Sequence, residues 1–420
     1  MNGVGPGTAP SGPGYSPHLR SRSRKSSSFR LQRLVFVEVA AALLLTAWVV
    51  DPLAVAPAAL VAIILVLFTV VRRHGRPWSE SLGTAKALRA RRRRAHTEPV
   101  PAGTEPAFAP AVECDPSLRT YTYSGRDQRR TGMVGDGTFV TAVLQVESDS
   151  TALRTVPYRQ SLPVGLVRDA LVVDDIRLES AQIVLHTQPA PALHLPQESV
   201  AVSNYAPLQA QTGAPAVRIT WIALKFDPET SPESVTARGG GLLGAQKCVM
   251  RAADHLASRL TGAGFRATVL TEEELASAIA TSACANPLVT AESGRAGQPQ
   301  RRTEEASGWW RCDNRRHTTY WVRRWPRSAA SGASTLPQLV ADVTAVPTLA
   351  TTFSLTLARD ERQEVALRGH VRVTGRSDAE LVDARNALEY AARQAGAGLA
   401  RLDREQLPGM LATLPLGGTR

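Results

Sequence analysis

From Leu34 to Val71 the chain is apolar at almost every position, and beyond it apolar residues are spaced rather than continuous. As a single helix those 38 residues would extend about 57 Å at ~1.5 Å per residue, against a hydrocarbon core of about 30 Å. Asp51-Pro52 breaks the run, and proline removes a helix donor. The pattern therefore predicts a transmembrane hairpin over 31–73, with spans at 34–50 and 53–71 and a tight turn between them. A cleaved signal peptide is the competing reading, because Ala54-Val55-Ala56 has the small-x-small form of a cleavage site. Pro57 directly after that cut, and a second full apolar segment, favour the hairpin.

Further along, the spacing changes to that of half-buried elements, and it does so twice. "HLASRLTGAGFRATVLTEEELASAI" (His255–Ile279) matches "EYAARQAGAGLARLDREQLPGML" (Glu389–Leu411) as helix end, Gly-Ala-Gly, short strand and new helix. Gly262 and Gly396 suit helix C-termini. Thr271 with Glu274, and Asp403 with Gln406, have capping-box spacing, and Leu275 and Leu407 follow at equal offsets. Upstream, Leu162-Pro163 and Leu336-Pro337 each open a short helix-like segment. Strands are expected at Ile176–His186 and Ala216–Phe226, then at Leu349–Ala358 and Gln363–Val373. Amphipathic helices follow near Leu242–Leu260 and Asp378–Ala395, the latter starting at Ser377 with Glu380. One more strand precedes each copy, Thr138–Val146 and Thr318–Trp325. Each unit reads β-α-β-β-α-β-α, the order of a ferredoxin-like unit plus one helix. The predicted class is a hairpin followed by an α+β domain of two tandem units, at 117–284 and 309–420, with chance similarity between α/β segments as the plainer alternative.

Composition fills the intervals. Residues 1–30 are Gly-, Pro- and Ser-rich and basic, and read as a disordered tail; 74–116 reads as a basic juxtamembrane segment and a Pro/Ala-rich linker; 285–308 reads as a connecting loop. The net charge is +12, and residues 1–94 carry all of it with 15 Lys or Arg against three acids. Basic residues flank both spans and none lies in the turn, which predicts cytoplasmic termini and a cytoplasmic soluble domain at an inner membrane. Anionic inner-leaflet lipid near Arg91, Arg92, Arg93 and Arg94 accounts for the basic excess better than nucleic acid, which is not an expected partner. Cys114, Cys248, Cys284 and Cys312 show no paired spacing and are expected as cytosolic thiols.

No motif in the chain marks a catalytic, cofactor-binding or metal-ligating residue. Gly239–Gly244 precedes a helix, yet Ala245-Gln246-Lys247-Cys248 follows where a phosphate loop needs Lys and then Ser or Thr. Asp174-Asp175 closes an apolar run as the metal-binding acids of sugar transferases do, but without their one-residue spacing, and an ordinary turn is the simpler reading. His186 and His194 stand among prolines with no accompanying ligand pattern. "WWRCDNRRHTTYWVRRW" has aromatics and arginines that could grip nucleic acid or sugar, though a strand explains the alternation. Glu38 sits near the cytoplasmic end of the first span, but two spans offer no ion path.

The hairpin, the basic stretch "RRHGRPWSESLGTAKALRARRRR" and the opening "YTYSGRDQRRTGMVGDGTFVTAVLQVE" resemble the EccE family, a membrane component of the type VII secretion system of actinobacteria. The resemblance runs over roughly 30–415. The Arg preference, with only four lysines, suits a high-GC bacterial genome. The resemblance implies a non-catalytic scaffold subunit of a protein secretion translocon, assembled with EccB, EccC and EccD, with the ATPase in EccC. A membrane-anchored enzyme, glycosyltransferase-like and resting on Asp174 and Asp175, is the alternative.

Overall fold

The computed structural model describes residues 38, 39, 41–43, 45, 46, 48, 49, 55–70, 72, 73, 76–101, 103–125, 128–148, 161–188, 217–295, 300–326, 335–359 and 364–418. The tail 1–30, the Asp51-Pro52 turn and His194 lie outside them. Of the expected second span, the helix α1 covers Val55–Val70. Leu60, Val61 and Ile63 on it are exposed, as are Leu45, Trp48 and Val49 in the helical positions before the turn. Among the described residues no helix is long and apolar enough to cross a membrane.

The segment expected as linker is instead folded. Helix α2 runs over Trp78–Thr97 and helix α3 over Ala109–Cys114. In α3 the alanines and the proline serve as small packing residues: Ala109, Pro110 and Ala111 are buried. Strands β1 (Arg119–Ser124) and β2 (Arg130–Gly135) follow and form a hairpin.

The predicted repeat region then unfolds in order. Its first half comprises β3 (Val140–Ser148), α4 (Val164–Asp169), β4 (Ser180–Gln188), β5 (Val217–Phe226), α5 (Pro232–Ala237), α6 (Gly241–Gly262), β6 (Phe265–Val269) and α7 (Glu272–Ser282). The interval read as a loop, 285–308, holds α8 (Pro287–Arg295) and β7 (Thr303–Glu305), and β8 (Trp310–Cys312) follows it. The second half comprises β9 (Arg315–Arg324), α9 (Leu336–Thr344), β10 (Ala350–Arg359), β11 (Val365–Gly375), α10 (Asp378–Gln394), β12 (Gly398–Arg401) and α11 (Gln406–Thr413). The molecule is thus α+β, and the described strands β1–β12 join in one antiparallel sheet.

In the first half the strand order is β4-β5-β3-β6 and in the second β10-β11-β9-β12, so the two halves repeat one connectivity. They meet where β4 pairs with β10, from Thr187–Thr351 to Ser180–Ala358. The β1–β2 hairpin extends the sheet beyond β3, and β7–β8 extends it beyond β9.

Helix periodicity explains the cover of one face. In α6, Ala245, Cys248, Val249, Ala252, Ala253, Leu256 and Leu260 recur at helical spacing and are buried. In α10 the corresponding row is Leu381, Ala384, Leu388 and Ala392. Both rows enter one core with Val167 of α4, Leu339 of α9 and the sheet residues Leu144, Ile222, Leu355 and Val373. On the other face α3, α7 and α11 cover Val143, Val184, Trp221 and Trp310.

The chain end ties the halves together. Gln182 of β4 accepts from Gly417 N at 2.8 Å, and Ser180 donates to Gly417 O at 2.6 Å. Gly417 is at φ +92°, and a Cβ there would meet the Lys225 side chain at 2.5 Å, so both conformation and space demand glycine.

Caps separate the two copies. Thr271 and Glu274 form the expected capping box of α7, and Ser377 caps α10 through Glu380 N. Asp403 and Gln406 do not form one. Gln406 instead accepts from Thr319 N at 2.8 Å and donates to Leu402 O at 3.0 Å, while Asp403 pairs with Arg401. The left-handed glycine after α6 is Gly264 at φ +83°, and Gly262 is still helical; after α10 it is Gly396, as expected.

Candidate interaction interface

The convergence of charged side chains lies where α2 meets the β7 end of the sheet. Two turns of α2 bring Leu88, Arg91 and Ala95 to one side, and Leu88 is buried. The Arg91 guanidinium donates to both carboxylate oxygens of Glu305 at 2.8 Å and to Arg404 O at 2.7 Å. Arg92 Nε donates to Glu305 O at 2.8 Å. Glu305 is on β7, its side chain 4% exposed. Its Oε1 also accepts from Leu407 N at 3.0 Å, where the open amides of α11 favour an anion. One carboxylate therefore joins a helix, a strand and a helix start. From the other side, Arg301 donates to Ala95 O at 3.0 Å and to Glu113 O at 2.7 Å.

Buried polar groups hold β7 in place. Glu113 of α3 accepts from Arg302 N and Thr303 N at 2.8–3.0 Å, where another strand's carbonyls would otherwise be needed. Burial pushes the Glu113 carboxyl up, against these amide hydrogen bonds, which pull it down. Arg302 and Asp313 form a buried ion pair at 2.7 Å, and Asp313 also accepts from Asn286 N at 2.7 Å. A cavity of about 260 Å³ lies between α2, α3 and α11, lined in part by Arg91, Arg94, Arg301, Val112 and Leu407. A larger one of about 440 Å³ lies beside α7, with Trp221, Gln145, Thr268 and Ser277 in its wall.

A second polar cluster is sealed under α7 and α11. Arg372 is fully buried and donates to Ser282 O, to the Met410 sulfur and, at 3.1 Å, to Thr352 Oγ1. Arg315 donates to Cys284 O and Ala285 O at 2.7 and 3.2 Å. Both guanidiniums thus satisfy carbonyls at the C-terminus of α7, where cations are favoured. Burial brings Arg372 down to about 10. His186 contacts Thr352 Oγ1 at 2.9 Å, and burial, aided by Arg372, lowers it to about 3. His317 contacts Thr374 Oγ1 at 2.9 Å and is likewise held well below its usual range by burial.

The residues weighed from sequence do not converge. Asp174 pairs with Arg251 at 2.9 Å and Asp175 with both Arg238 amines at 2.7 Å, on an exposed turn. The Arg238 hydrogen bonds hold the Asp175 carboxyl well below its usual range. The Gly239–Gly244 run serves packing: a Cβ on Gly244 would lie 2.4 Å from Val235 O of α5. The Trp309–Trp325 segment forms β8 and β9, with Trp310 and Tyr320 buried in the core. The four cysteines are free. Among the described residues no group of His, Cys, Asp and Glu is placed to hold a metal. Glu305, Glu113 and Arg301 were not legible beforehand; Arg91 and Glu305 are 214 positions apart.

Fold and interface together define an α+β domain on a continuous sheet, clamped to a basic helix that follows an apolar one. The family model described as "Putative type VII ESX secretion system translocon, EccE" matches residues 214–322, from the approach to β5 to within β9. This bears out the sequence resemblance over that segment and supports a chain associated with type VII secretion. No curated protein matches the sequence. Among solved structures, an alkyldihydroxyacetonephosphate synthase aligns over 64% of this chain and 43% of its own, at 10% identity and a TM-score of 0.25. That similarity is too low to bear on fold or activity.

Proposed function

We propose that this chain is a non-catalytic inner-membrane subunit of a type VII secretion translocon, whose work is to hold neighbouring subunits. The observation that carries the reading is the EccE match over 214–322. In this reading the hairpin (34–50 and 53–71) anchors the chain, both termini and the soluble domain are cytoplasmic, and the partners are the EccB, EccC and EccD components and anionic inner-leaflet lipid. The soluble part is two tandem ferredoxin-like units, 117–284 and 309–420, and the repeated strand order supports that division. The pairing of Asp174 and Asp175 with arginines weakens the glycosyltransferase-like alternative.

Two replacements test the scaffold. Exchanging 34–71 for an unrelated two-span hairpin keeps the anchor but removes the small-residue faces of Ala40, Ala41, Ala47, Ala58, Ala59 and Ala62. Secretion and co-purification of the other translocon subunits are expected to weaken together. Asp174→Asn with Asp175→Asn is expected to leave secretion nearly unchanged. Loss of secretion in the Asn pair, with folding and assembly intact, would replace the scaffold with the enzyme alternative.

A further inference from the structure

The arginines of α2 divide between its two sides. At ~100° per residue, Leu88, Arg91, Arg92 and Ala95 lie on the side turned to the domain. There Arg91 and Arg92 are engaged by Glu305, and Ala95 O by Arg301. Lys86, Arg89 and Arg93 fall on the side turned away, and all three are exposed. His96 extends the same exposed row. Like charges at this spacing repel one another, so the row does not stabilise the helix by itself.

We infer that the Lys86–Arg89–Arg93 face of α2 is a docking surface for the headgroups of an anionic membrane, and that the Arg91–Glu305 clamp holds the soluble domain on the opposite side of the same helix. The inference rests on the membrane-anchored reading above and deepens it. The sequence points to Arg91, Arg92, Arg93 and Arg94 as the lipid contacts; the structure turns Arg91 and Arg92 to the domain and sets Arg94 on the rim of the cavity between α2, α3 and α11, and it adds Lys86 and Arg89 to Arg93.

Two observations favour a lipid surface over another occupant. The first is continuity: α1, with exposed Leu60, Val61 and Ile63, ends at Val70, and α2 starts at Trp78 after the short Arg72–Arg73 and Arg76–Pro77 pairing. That short connection joins the helix that carries the basic row directly to the apolar helix, with seven residues between Val70 and Trp78. The second is charge: residues 1–94 carry the whole net +12, while the remainder of the chain is neutral. The attractive field is therefore confined to the part nearest the membrane. Basic side chains near an anionic leaflet act additively and within a Debye length of its surface.

Hydrogen exchange on the full chain in lipid nanodiscs tests this, with phosphatidylcholine alone compared with a phosphatidylcholine–phosphatidylglycerol mixture. Amides of 78–97 are expected to exchange roughly tenfold more slowly in the anionic discs, and added salt is expected to erase the difference. Lys86→Glu, Arg89→Glu and Arg93→Glu together should abolish the difference, with exchange in β5 unchanged as a check on folding. Glu305→Gln should keep the lipid-dependent slowing in α2 but speed exchange in β7 and α11 in either lipid. Equal exchange of α2 in both lipids overturns the inference while leaving the anchor standing. So does a lipid difference that survives the triple reversal and disappears in Arg91→Gln with Arg92→Gln. Failure of the chain to enter discs at all overturns the anchor reading, and this inference with it.

Discussion

At the residue scale, the fold keeps several ionisable groups in the state that burial permits. His186, His317 and His370 are neutral in the folded chain because burial opposes their charging, and nearby arginines add to that: Arg372 for His186, Arg372 and Arg315 for His317, and Arg368 for His370. Their folded values are depressed from 6.5, to about 3 for His186 and about 4 for His370. Below pH ~6.5 the unfolded chain therefore binds protons that the folded chain refuses. Stability is complete above that pH and is lost as pH falls toward 4. Thermal melting from pH ~7.5 down to ~5 should show a falling midpoint, and His186→Asn with His317→Asn should flatten the slope. An unchanged slope in that double variant would place the acid sensitivity elsewhere.

At the scale of elements, the repeat predicts like roles for Leu275 and Leu407, and the structure separates them. Leu275 is fully buried in α7, whereas Leu407 is half-buried at the first turn of α11, its amide taken by Glu305. Leu275→Ala is expected to cost about 2–5 kcal/mol and Leu407→Ala about 1 kcal/mol, read as shifts in denaturant midpoint at constant slope. Equal costs would contradict this difference in burial. The same contrast shows what the sequence made legible. The helices α6 and α10 and the strands β3, β4, β5, β9, β10 and β11 were visible because each buries a continuous face with its own period. The small-residue helix α3 was not, since its Ala and Pro look like linker until partners are known. Strands β1, β2, β7 and β8 were missed because they are polar or short; β7 gains its place from Glu113 and Asp313, which are distant in sequence or lie across a turn. Gln406 failed as a cap because a long-range acceptor was needed at Thr319 N. The clamp at Glu305 was out of reach for the same reason: nothing local in "RRTEEAS" marks which glutamate will meet Arg91.

At the scale of the molecule, each half buries one edge of its sheet against the other. Produced alone, 117–284 would expose β4 and 309–420 would expose β10, each a long strand, buried along most of its length in the intact chain, with unpaired amides. The separate halves are expected to be insoluble or to self-associate, and co-expression is expected to recover a one-to-one complex, as read by size-exclusion chromatography. Two soluble, independent monomers would argue against the seam. The seam also has a consequence in time. Gln182 of the first half donates to Ser354 of the second, 172 positions later. At roughly 5–20 residues per second, a ribosome needs about 10–35 s to make the strand that completes β4. From the completion of α7 at Ser282 until β10 follows, the first half stands finished on one side and open on the other, beside every other nascent copy of the same chain.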